Sequence, residues 1–171
     1  MPFVPRNATL VTVFAGGNEV NTITAALGGG AGGNDPNGYI DNQIRAFGND
    51  YTTLLNGIRE RAGSPRIAIL NTPNMAGLPY LANASAAQRQ AAQRAAVGFT
   101  RNVVNPLVSA NVVVIDLMCD ARTYLRSNYS ADGMHPNDAG YAFMAAEVVR
   151  AITSNAYPAP QSNCGSMSLV Q

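Results

Sequence analysis

Apolar residues fall along this chain in two alternating patterns, short continuous runs and long spaced stripes. Ala8-Thr9-Leu10-Val11-Thr12-Val13-Phe14 is a run of strand length, apolar enough to be buried. Ile40, Ile44, Phe47, Tyr51, Leu54, Leu55 and Ile58 recur at helical spacing and predict one long amphipathic helix, ended by Gly63 and Ser64-Pro65. Arg66-Ile67-Ala68-Ile69-Leu70 reads as a second strand. Ser85 and Gln88 form a capping box ahead of a helix carrying Ala91, Ala95, Phe99, Val103 and Leu107. Val112-Val113-Val114-Ile115-Asp116 is a third strand, and a last helix starts near Asn137 or Asp138 and is expected to bury Tyr141, Ala145, Val148 and Ile152. Strands alternating with helices predict an α/β domain with a parallel sheet covered by helices.

The connections read as loops. The glycine run 28–33 and the turn Asp35-Pro36-Asn37-Gly38 predict a mobile surface segment, and 71–81 leaves the carboxyl end of the second strand. One domain is expected over residues 1–156, followed by an irregular tail, 157–171. Gly28, Gly30 and Gly33 satisfy G-x-G-x-x-G, but the run does not join a strand directly to a helix, so no nucleotide cofactor is expected.

At 171 residues with 47% hydrophobic positions the chain is long enough for a real core. All eleven basic residues are arginine, scattered and balanced by acids to a net charge of +1, which argues against nucleic acid and anionic membrane as partners. No apolar run reaches the roughly 18 residues of a membrane span. Cys119 and Cys164 are an even pair, read as a disulfide that staples the tail and implies an exported protein, although the N-terminus carries no signal-peptide pattern. Two distant cysteines and one histidine do not give metal-ligand spacing.

The chemistry concentrates in Asp132-Gly133-Met134-His135-Pro136-Asn137, which holds the only histidine. An imidazole is the side chain best suited to moving protons near neutral pH. A carboxylate three residues earlier can fold back onto one ring nitrogen and leave the other free to act as a base. Open parallel sheets bind ligands at the carboxyl ends of their strands, and segments 16–21, 71–81 and 132–135 all fall on that rim. Met75, Leu78 and Tyr80 are candidates to line an acyl pocket there.

The stretch Asp132 to Tyr141 resembles the last block of the SGNH, or GDSL-type, esterases and lipases: D-x-x-H, then Pro-Asn-x-x-Gly-Tyr. Gly16-Gly17-Asn18-Glu19, after the first strand, resembles the family's G-x-N-D block, with Glu19 in place of aspartate. A second match at Asn34-Asp35 lies far from a strand end. The resemblance implies a three-layer α/β/α fold with a flavodoxin-like parallel sheet. It implies a carboxylester hydrolase acting on small acyl esters, short-chain or acetyl, without cofactor, with Asp132 and His135 catalytic and Asn18, beside Gly16, at the oxyanion.

The family's Gly-Asp-Ser nucleophile block and its glycine block lie upstream of the asparagine block, and neither occurs here. The resemblance therefore covers the C-terminal part of the family domain, an N-terminally truncated form of it. Met1 is a native start, the edge of a fragment, or one piece of a divided domain. Ser127, Ser130, Thr22, Thr24 and Thr72 lie near the right rim as surrogate nucleophiles, and a water activated by His135 is another. The alternative function is a non-catalytic remnant, or one half of a two-chain active site that acts through assembly. With its family neighbour missing, the strand at 8–14 becomes an open edge, expected to pair with a second copy or a complementing chain.

Overall fold

The computed structural model describes residues 3–171. Three strands, β1 (Leu10–Phe14), β2 (Arg66–Leu70) and β3 (Val112–Ile115), form a parallel sheet in the order β1-β2-β3. Val11 pairs with Ile67, and Ile67 with Val112. Four helices accompany them: α1 (Gly17–Gly28), α2 (Pro36–Ala62), α3 (Ala86–Gly98) and α4 (Asp138–Thr153). Successive strand residues point to opposite faces. Ile67, Ile69, Val112 and Val114 pack with Val20 and Ile23 of α1, Ile44 and Phe47 of α2 and Ala92 of α3. Ala68, Leu70 and Ile115 pack on the other face with Met144 and Ala151 of α4. The result is three layers, α/β/α.

Helix α1 replaces an expected loop. Its apolar signal is thin, because only Val20 and Ile23 are buried. Thr22 and Thr24, poor helix formers, satisfy their hydroxyls on the carbonyls of Asn18 and Val20. Asp35-Pro36-Asn37-Gly38 is likewise a helix start rather than a free turn. Asp35 accepts the Gly38 amide at 2.8 Å and Pro36 takes the first helical position, where its missing N–H costs nothing.

Two helical faces differ from expectation. Ala95 and Phe99 are buried as expected, but Ala92 takes the place of Ala91, and beyond Gly98 the chain widens into a π-helical segment, Phe99–Val104, in which Thr100 and Val104 are buried in place of Val103 and Leu107. In α4 the buried positions are Gly140, Met144, Glu147 and Ala151, one residue out of phase with Tyr141, Ala145, Val148 and Ile152. The cause is Glu147. Its carboxylate is held by Arg122 at 2.8 Å and Arg150 at 2.6 Å, so a charge occupies a core-facing position.

The tail has one short 3-10 turn, Gly165–Ser168, and is not free: Cys119 and Cys164 are joined, with Cα atoms 5.8 Å apart, and Met167 is buried. At the other end of the sheet, β1 is an edge strand. Leu10 is 38% and Phe14 49% exposed, because α4 covers the same face of β2 and β3 only. Among the described residues no helix is long and apolar enough to cross a membrane.

Candidate active site

The Asp132–His135 turn is wired within itself. Asp132 Oδ2 lies 2.6 Å from His135 Nδ1, while its Oδ1 accepts the amides of Met134 at 2.9 Å and His135 at 3.0 Å. The ring hydrogen bond, then the two amides, hold the Asp132 carboxyl down at about 2. Gly133, at φ 72°, lets the turn close against the backbone of Pro79 and Tyr80, where a side chain would collide. Asn137 fastens the turn to α4: its carbonyl oxygen caps the helix at Gly140 N, and its amide donates to Ser127 O and Tyr129 O. His135 Nε2 makes no hydrogen bond to a described residue, and the side chain is 64% exposed.

This imidazole faces a cavity of about 310 Å³ at the carboxyl end of the sheet. Gly16, Gly17, Asn18 and Glu19 form one side, Pro73, Met75 and Leu78 another, and Tyr129, Met134, His135, Pro136, Tyr141 and Met144 a third, with Phe14 at the strand end. Gly16, at φ 125°, turns the chain off β1 into α1. Asn18 therefore stands in the first turn of α1, with its side-chain amide making no hydrogen bond to a described residue. Asn21 donates to the Met134 sulfur at 3.1 Å, joining α1 to the histidine turn.

Four of the expected groups thus meet at one cavity: His135, with Asp132 behind it, Asn18 and Gly16. Met75 and Leu78 line the cavity, but Tyr80 does not. Its amide is tied to Gly133 O at 3.1 Å, and it lies outside, 43% exposed. The cystine lies away from the cavity. Glu19, Phe14, Tyr129, Met134, Tyr141 and Met144 are lining residues that sequence reading did not pick out. For Glu19 the G-x-N-D match was a usable signal, whereas the others come from remote segments.

No serine or threonine stands among the lining residues. The hydroxyls of Thr22, Thr24, Thr72 and Ser130 donate to the carbonyls of Asn18, Asn21, Ala15 and Pro136. The Tyr129 hydroxyl donates to Thr123 O, and burial pushes it well above the ordinary phenol range. Within this cavity the group suited to proton transfer near neutral pH is His135.

Residues 2–143 match the GDSL-like lipase/acylhydrolase family, and the chain belongs to that family of hydrolases. No curated protein matches the sequence. The fold is similar to the crystal structure of the lipase Lip_vut3 from a goat rumen metagenome, with a TM-score of 0.65 and 21% identity over 89% of this chain and 68% of that one.

Proposed function

We propose that this chain carries the base and part of the oxyanion site of a carboxylester hydrolase for short acyl or acetyl esters. The observation that carries the reading is the 2.6 Å contact between Asp132 and His135 at a cavity that Asn18 also lines. Asp132 fixes the imidazole and stabilises its charged form, and His135 Nε2 takes a proton from the attacking oxygen. Asn18 donates to the developing oxyanion. The cavity volume, about 310 Å³, lies at the small end for ligand sites, and its Phe14, Met75, Leu78 and Met144 suit a short acyl chain.

With no serine or threonine among the residues lining the cavity and the Tyr129 hydroxyl spent on Thr123 O, the attacking oxygen is a water activated by His135 or a serine brought by another chain. The open edge of β1 favours the second route: Phe14 is both exposed on that edge and part of the cavity lining. A pairing strand there would end beside His135. The cystine supports an exported location, since disulfides persist in oxidising compartments.

Hydrolysis of p-nitrophenyl acetate by wild type and His135→Ala tests the reading. Loss of turnover in the variant supports it, and equal turnover overturns it. Labelling of a partner chain by a fluorophosphonate in the presence of this one would favour a serine over water.

A further inference from the structure

The wall formed by Pro73, Met75 and Leu78 is held in place by the far end of the chain. Asn74, between two cavity-lining residues, is wholly buried and uses every polar atom of its side chain. Its Nδ2 donates to Ser166 O at 2.7 Å and to Gln93 Oε1 at 3.0 Å, and its Oδ1 accepts the Ala76 amide at 3.1 Å. Gln93 grips the same strap twice, accepting from Val170 N at 3.0 Å and donating to Val170 O at 2.7 Å. Leu169 lies against Gly77, where a Cβ would stand only 2.5 Å from its Cδ1. The strap begins at Cys164, bonded to Cys119, next to Met118, whose amide is held by Asn71 at 2.9 Å. None of the strap residues lines the cavity.

We propose that residues 164–170 determine acyl specificity, acting through Asn74 as a positioning residue; this rests on the acyl-hydrolase reading above. The physical link is the buried amide. Without the strap, Asn74 Nδ2 loses one acceptor outright and the Gln93 acceptor loses its orientation. An unsatisfied buried donor is unstable, so the 73–78 segment rearranges to hydrate it. A fixed wall keeps the cavity small and excludes longer acyl chains, and a relaxed wall admits them.

The test uses the full chain in three forms: Gln93→Ala, Gln93→Glu, and the double variant Cys119→Ser/Cys164→Ser. Gln93→Glu retains the acceptor for Asn74 and Val170 N but replaces the donor to Val170 O with a carboxylate oxygen, so it separates the acceptor role from the full grip on the strap. Amide hydrogen exchange at Asn74, Ala76, Gly77 and Leu78 reads the wall without reference to catalysis. It is expected to accelerate about tenfold in Gln93→Ala and the double variant, the equivalent of one net hydrogen bond, and by less in Gln93→Glu, which keeps the acceptor for Asn74. The ratio of kcat/KM for p-nitrophenyl hexanoate to that for the acetate is expected to rise about fivefold in the same two variants, through KM, with kcat on acetate unchanged.

Unchanged wall exchange alongside faster exchange at Met167 and Val170 overturns the coupling. Faster wall exchange with an unchanged hexanoate-to-acetate ratio overturns the role in specificity. Should the wild type hydrolyse neither ester, the acyl-hydrolase reading and the specificity role fail together, and the exchange result alone decides whether the strap holds the wall.

Discussion

The hydroxyl of Thr72 occupies the space beside Gly16 that a side chain there would need, where β1 and β2 end together. The same hydroxyl donates to Ala15 O at 3.1 Å, and Thr72 O accepts from Thr100 at 2.9 Å. Gly16 is thus pinned at φ 125° with Thr72 packed against it, and this pair sets the direction in which α1 presents Asn18. Gly16→Ala combines a collision with a φ that side chains rarely adopt, and is expected to cost about 2 kcal/mol or more. In thermal unfolding, the double variant with Thr72→Ala should recover the collision but not the backbone strain.

Asp132→Asn keeps the shape of the turn and loses the carboxylate that selects the ring tautomer. A fall in kcat of about 10³–10⁴ on acetate esters is expected, with KM little changed. Because Asp132 is held at about 2, it stays ionised through mild acid. Protonation of Asp132 is therefore not expected to shape the pH–rate profile in mild acid, and a mild-acid limb that vanishes in Asp132→Asn would contradict this.

On the proposed reading, Asn18→Ala removes a donor that only the transition state would use fully. Steady-state kinetics should show kcat lowered by about 10²–10³, with melting unchanged because the amide supports no other described residue.

Glu147 is the buried acid of α4. Burial raises its pKa, and hydrogen bonds from Arg150 and Arg122 outweigh that, so the net shift is downward. A carboxyl with a depressed folded value contributes stability above its unfolded pKa and loses it as pH falls through the folded value. Glu147→Gln is expected to cost about 2 kcal/mol at neutral pH, discounted because both arginines are half exposed. The difference from wild type should shrink below about pH 4, as chemical denaturation at several pH values would show.

Thr12 sits mid-edge on β1, with its side chain exposed. Thr12→Lys places a charge where a second strand would dock, a device natural edges use against association. Wild type is expected to sediment as an oligomer at micromolar concentration and the variant as a monomer, both folded by circular dichroism.

Much of the fold could be read from the chain because strand runs and helix stripes carry different periods. The buried face of β2 and β3 and most of the α2 stripe follow from the spacing of apolar residues alone. What escaped reading had local causes. Helix α1 hides behind threonines whose hydroxyls are satisfied inside the helix. The α4 face slips by one position because Glu147, polar by rule, is neutralised by arginines from outside its own turn and from its own helix. The catalytic candidates were legible because Asp132 and His135 lie three residues apart. Of the cavity walls, Met75 and Leu78 were legible from the loop that leaves β2, whereas Phe14 and Met144 come from remote segments that meet there only after folding.

The bonds that fix the ring itself lie inside the Asp132–His135 turn, which Tyr80, Asn21, Ser130 and Asn137 anchor from outside. Such a unit is modular. Walls contributed by other segments can change the shape of the cavity without touching the bonds that hold the ring.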